Sequence, residues 1–194
     1  MDDRPKARAS DIALCRQQWS SRNLPPTLTG TVMDIGCWAG AYCCVALEKG
    51  ADHAIGVDIC RSPSLLDGFE FRQLDIMSDA ALQLPQVEHV FLMGVLYHVH
   101  DPVGLLMRVR RLVKEVLWLE TAASPDTGQP SISCFNDHTN WFRPNPAAVR
   151  WMLQKTGFEP VGQGRYYRSG RFTISAKPVE IPEFKPRADS WMPL

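Results

Sequence analysis

Apolar positions along this chain repeat with two different periods, and the switches between them divide it into short strands and amphipathic helices. Continuous apolar runs predict strands at 31–35 (TVMDI), 54–58, 69–74 and 89–94 (HVFLMG), with a further one at 116–120. Between them, helical spacing predicts helices at 11–21 and 39–49, the second ended by Gly50, and a weak one at 78–82. Asp101-Pro102 reads as a helix start, an N-cap acid before a first-turn proline. Leu105, Leu106, Val109, Leu112 and Val113 then recur on one face of that helix. Residues 121–140 carry no clear period, and a loop that long in a compact domain is usually functional. A helix at 146–156 and strands at 158–167 and 171–176, joined by Ser169-Gly170 as a tight hairpin, complete the pattern. Alternating strands and helices of this kind predict an α/β fold with a mostly parallel seven-stranded sheet and a C-terminal antiparallel hairpin.

At 194 residues the simplest division is one domain over 1–177, opened by a helical segment at 1–29, and a proline-rich extended tail over 178–194. The formal net charge is zero, so the whole chain has no electrostatic pull toward nucleic acid or an acidic membrane. Residues 1–100 carry 8 Lys/Arg against 12 Asp/Glu and residues 101–171 carry 10 against 6, which permits a basic surface on the second half. The polar start MDDRPKARASD and the lack of any membrane-length apolar run predict a soluble, cytoplasmic protein without a membrane partner. Six cysteines without a C-x-x-C pair read as reduced thiols, and no spacing suits a metal.

The chemistry concentrates at strand ends. The first strand runs into GCWAG, making Asp34-x-Gly36-x-x-x-Gly40, and a second acid, Asp58, ends the next strand. The pattern resembles the S-adenosylmethionine site of Rossmann-like methyltransferases. That ligand has an ammonium at one end and two ribose hydroxyls, but no phosphate, so carboxylates suit it. Asp34 is expected near the ammonium and Asp58 on the ribose, with Gly36, Cys37, Trp38 and Gly40 forming the loop and Ile59 beside it. A dinucleotide enzyme would need G-x-G-x-x-G, and Trp38 would block a close phosphate approach. Asp75 and the amide of Ile76 follow the third strand, where adenine is held; Met93 and Gly94 close the fourth strand at the switch point.

Tyr97, His98 and His100 come next, and His138 and Trp141 lie on the long loop. A histidine titrates near working pH and could take a proton from an acceptor, so Tyr97, His98 and His138 are the catalytic candidates. Tyr97, Trp141 and Arg143 are the candidates for acceptor binding. Arg108, Arg110, Arg111 and Lys114 read as a solvated helix face, whereas Arg165, Arg168 and Arg171 flank a hairpin beside the substrate opening and would suit an anion. The segment 121–140 is expected to form a mobile lid whose inner wall is Tyr97, His98 and Trp141.

Together VMDIGCWAG, GVD, LDI, FLMGVLYHVHDP, LWLET and NWFRPNPAAVRWMLQKTGFEPV resemble the methyltransferase family that includes the bacterial enzyme placing a carboxymethyl group on tRNA wobble uridine. The likeness spans residues 30–165. It implies that Met93 and Tyr97 help to hold the cofactor. In the tRNA enzyme an arginine before a Y-F-x-P segment pairs with the carboxylate of a carboxylated cofactor; the matching stretch DHTNWFRP places His138 there. Ordinary methyl transfer from S-adenosylmethionine to a small molecule is therefore the expectation, with no preference for a carboxylated donor. Transfer to tRNA and a non-catalytic cofactor-binding role are the alternatives.

Overall fold

The computed structural model describes residues 5–22, 24–135 and 138–180. Its elements run α1 (Pro5–Ser21), β1 (Thr31–Ile35), α2 (Ala41–Glu48), β2 (His53–Asp58), β3 (Glu70–Gln73), β4 (Val87–Met93), α3 (Pro102–Arg110), β5 (Val113–Ala122), β6 (Ile132–Cys134), β7 (Phe142–Pro144), α4 (Pro146–Lys155), β8 (Phe158–Tyr167) and β9 (Arg171–Pro178), with single 3-10 turns at Asp79–Gln83 and Leu96–His98. Seven strands form one sheet in the order β3-β2-β1-β4-β5-β9-β8. β1 to β5 are parallel, and β9 lies antiparallel between β5 and β8. The order reverses between β1 and β4, which opens a crevice at their carboxyl ends.

The sheet is buried on both faces because successive side chains of β1 point opposite ways. Met33 and Ile35 join Val90, Leu92, Leu117 and Leu119 against Leu105, Leu106 and Val109 of α3 and Val149 and Leu153 of α4. Val32 and Phe91 face Cys15 and Trp19 of α1 and Val45 and Ala46 of α2. Trp19 meets Phe91 edge-on at 5.5 Å and donates its indole N–H to the Pro25 carbonyl at 2.7 Å, so the one polar atom of a fully buried ring is satisfied. Asp34 follows Val32 on this second face. A carboxylate is thus carried into the packing between the sheet and α1.

Three expectations need correction. The helix expected to include Leu112 and Val113 stops at Arg110, and Val113 already pairs with Val87, so β5 is ten residues long. Both residues are buried either way, and an apolar run crossing a tight turn looks continuous in helical spacing. The basic run is not one solvated face: Arg110 donates to the carbonyls of Gly157 and Val179, and Lys114 lies on β5 paired with Glu88 at 2.8 Å.

The third correction concerns 121–140. Thr121 and Ala122 belong to β5, and β6 pairs with β7 as a separate small antiparallel sheet. Asn145, fully buried, ties the stretch down: its carbonyl oxygen caps α4 at Ala148 and accepts from Ser131, while its amide donates to Thr127 and Gln129. A three-residue strand is too short to show alternation, so the flap reads as structureless although it is anchored. The tail expected to run extended over 178–194 lies outside the described residues from 181 onward.

Candidate functional site

The loop after β1 turns back on β2 through hydrogen bonds from the Gly36 and Cys37 amides to the Val57 carbonyl, at 2.7 and 3.1 Å. Gly36 and Gly40 both have positive φ, and a Cβ would strike Val95 at 2.3 Å in the first and the Phe69 ring at 2.1 Å in the second. Glycine is required at both positions by packing as well as by φ. Gly36 lines the crevice; Gly40, expected against the ligand, instead starts α2 under Phe69. Trp38 is also left-handed, at φ 48°, and is 58% exposed. Its amide donates to Asp58 Oδ2 at 2.8 Å, while the Cys60 amide donates to Oδ1 at 3.1 Å. Oδ1 also accepts from the Cys60 thiol at 3.5 Å, so of the carboxylate's roughly four lone-pair directions it is Oδ2 that keeps one for a further donor.

Two cavities meet at Gly36 and Trp38. One, of about 520 Å³, is walled by Asp58, Ile59, Asp75, Ile76, Gly94 and His98 among others. The other, of about 240 Å³, is walled by Cys15, Gln18, Cys37, Tyr42 and Met93, so α1 forms one side of it. Asp34, two residues before Gly36, is 1% exposed and walls neither cavity, and its Oδ2 has no hydrogen-bond partner. Burial, and then the charge of Asp58, push its carboxyl well above the usual carboxylate range. Burial likewise raises the thiols of Cys15, to about 12, and of Cys37 and Cys43, each further raised by Asp34. Asp75 accepts from the Met77 amide at 2.8 Å and stays exposed at the cavity rim.

Beyond Gly94 the 3-10 turn presents Tyr97 and His98. His98 Nδ1 lies 2.8 Å from the Thr139 carbonyl, which can only accept; Nδ1 therefore carries the proton, and in the neutral ring Nε2 is left as the base. Tyr97 is buried, and its hydroxyl lies 3.6 Å from where a Cβ on Gly94 would be. Arg171 Nη1 donates to that hydroxyl at 2.8 Å and pairs with Glu120 Oε1 at 3.1 Å, and Arg22 Nη1 holds Glu120 Oε2 at 2.7 Å. A third cavity, of about 320 Å³, opens here, lined by Tyr97, Phe135, Arg143 and Arg171.

Other candidates fall elsewhere. His138 is exposed and walls none of these cavities; the arginine beside Tyr97 comes from β9, not from the segment before Trp141. Trp141 is exposed and stands edge-on to His100 at 6.2 Å, outside the third cavity that it was expected to line. Only its backbone reaches inward, donating to the Tyr97 carbonyl. Glu120 and Arg22 were missed. The available signal was Glu120 itself, a charge inside the apolar run LWLET. Among the described residues no group of three or more His, Cys, Asp or Glu could hold a metal, and no helix is long and apolar enough to cross a membrane.

A sheet in this order, with a glycine turn after β1 and acids at the ends of β1 and β2, has the Rossmann-like architecture of a methyltransferase domain. The chain belongs to the methyltransferase domain family, whose model matches residues 9–163. It is similar to the tRNA U34 carboxymethyltransferase of Hydrogenovibrio crunogenus, 33% identical over 67% of this chain and 45% of that one. The chain spans about half the length of the curated relatives it matches. Among solved structures it resembles an S-adenosylmethionine dependent methyltransferase from Mesorhizobium loti, with a TM-score of 0.63, 16% identity and coverage of 82% of this chain and 97% of that one. It also resembles the Burkholderia thailandensis 1,6-didemethyltoxoflavin-N1-methyltransferase, solved with its substrate and S-adenosylhomocysteine, with a TM-score of 0.61, 15% identity and coverage of 92% and 80%.

Proposed function

We propose that this chain transfers a methyl group from S-adenosylmethionine to a small molecule. The observation that carries this reading is the pair of cavities sharing Gly36 and Trp38, with Asp58 on the wall of one and the buried, unpartnered Asp34 oxygen two residues before Gly36. Asp34 takes the ammonium end, Asp58 the ribose hydroxyls, and Asp75 with the Ile76 amide the adenine; Ile59 and Trp38 cover the ring faces. When bound, the cofactor supplies a methyl group on a cationic sulfur, which keeps the C–S electron pair as the methyl leaves. The chain orients the acceptor in line, excludes water by the flap over Tyr97, and offers His98 Nε2 for the acceptor's proton.

Calorimetry tests the reading. Binding of both S-adenosylmethionine and S-adenosylhomocysteine, lost in Asp58→Ala, is the expected result; no heat from either, or undiminished binding in the variant, overturns it. A second reading, transfer to tRNA, is favoured by the named relatives. It requires RNA binding that falls steeply as salt rises. A chain of zero net charge with an acceptor cavity of about 320 Å³ favours the small molecule.

A further inference from the structure

We infer that the acceptor carries a carboxylate on a flat, unsaturated body, held in the cavity between Tyr97 and the β8–β9 hairpin; this rests on the methyltransferase reading above. The argument begins with a count of charge. Glu120 is buried, and two guanidinium groups, those of the part-buried Arg22 and the more exposed Arg171, are paired with it. One positive charge is therefore in surplus. Arg22 turns toward Tyr42 on the α1 side of the sheet, whereas Arg171 walls the cavity. Arg143 reaches the same cavity, and among the described residues no aspartate or glutamate lines it. Two cations with one buried counter-charge, opening into a small cavity, favour an anionic guest.

The shape narrows the class. Arg143 lies over the Phe135 ring at 4.3 Å and Arg171 over the Tyr97 ring at 5.0 Å, so each guanidinium stands against an aromatic wall of the cavity. Tyr97 and Phe135 stand 6.2 Å apart. Planar forks between aromatic walls match a carboxylate on a flat body. A phosphate would want a cradle of backbone amides, and the Gly170 amide is already bonded to the Tyr167 carbonyl. The site also has the right address, since the Tyr97 hydroxyl lies over Gly94 at the switch point, next to the cofactor's place.

The test titrates benzoate, benzamide and phenyl phosphate into the full chain saturated with S-adenosylhomocysteine. Benzoate is expected to bind at least about tenfold more tightly than either analogue, from a charge-assisted bidentate pair that they cannot reproduce. Arg171→Gln and Arg143→Gln should each remove most of that difference while leaving S-adenosylhomocysteine affinity within about twofold, because neither side chain walls the cofactor cavities. Glu120 keeps Arg22 in the first variant, and Arg143 is exposed, so the second stands if the first misfolds. Equal binding of benzoate and benzamide, preference for phenyl phosphate, or two variants without effect overturns the proposal while the methyltransferase reading survives. A carboxylated sulfonium donor that binds more tightly than the ordinary one through Arg171 also overturns it, since the anion then belongs to the donor. Failure of S-adenosylhomocysteine to bind overturns both.

Discussion

The donor and acceptor sides of the crevice are built in opposite ways. On the donor side every contact joins neighbours in the chain or adjacent strands: Trp38 to Asp58, Cys60 to Asp58, Met77 to Asp75. On the acceptor side Arg171 reaches Tyr97 across 74 residues and Glu120 across 51. The donor side meets one invariant ligand, so short loops at parallel strand ends suffice. The acceptor side takes its shape from a hairpin, a flap and a helix terminus that come together only in the folded chain, and these are parts that can change without disturbing the cofactor.

The comparison breaks first at Asp58. Asp58→Ala removes the ribose acceptor and frees two loop amides, and should weaken S-adenosylmethionine binding roughly 100-fold, at about 1.5–3 kcal/mol per charged hydrogen bond. Calorimetry that shows less than a tenfold loss would mean that the donor side is not held as described. Asn145→Ala acts on the other side. It removes the cap of α4 and the tether of the flap, and should cost about 2–3 kcal/mol in urea unfolding. Cofactor affinity should be unchanged while acceptor KM rises; a fall in cofactor affinity would show the two sides to be coupled.

Asp34→Asn should move stability and binding in opposite directions. Because the folded carboxyl is raised by burial, the apoprotein binds a proton there that the unfolded chain has released, and its stability falls as pH rises from the ordinary carboxylate value through the folded one. Removing the charge should raise the apoprotein Tm by about 2–4 °C, roughly 1 kcal/mol at this size, while weakening cofactor binding about tenfold. In the wild type, affinity for the cofactor should rise with pH over the same window as Asp34 ionises toward the ammonium. A Tm that falls in Asp34→Asn would show that this carboxyl is satisfied without ligand.

The smallest effect is a control far from both sides. Glu88 is held down to about 2, chiefly by Lys114 and then by the Thr31 amide, so its contribution to stability is present above an ordinary carboxylate pKa and is lost as pH falls toward 2. The pair is part-exposed, and Lys114→Ala should cost less than about 1 kcal/mol. Both binding steps should be untouched.

The strands, the helix cap at Asp101, and the hairpin were legible because each depends on residues a few positions apart: an apolar run, an acid before proline, a serine-glycine pair. The positions of Asp34 and Asp58 were legible for the same reason, since the carboxyl ends of β1 and β2 follow from where the strands stop. Helix length at Arg110 was not, because Leu112 and Val113 are buried in either conformation and only the pairing of Val113 with Val87 decides between them. Nor was the flap, whose order depends on one buried asparagine reaching back 14 to 18 residues.

What the chain determined by itself was therefore the α/β alternation and the donor side, where spacing along the sequence is spacing in the molecule. Tertiary structure alone decided which arginine stands beside Tyr97. Arg171, Arg165 and Arg168 share one hairpin, and His138 and Arg143 share one flap, with nothing local to rank them. The antiparallel insertion of β9 beside β5 places Arg171 next to Glu120, and a buried carboxylate then holds it there because leaving either charge unpaired in the interior costs more than ordering both.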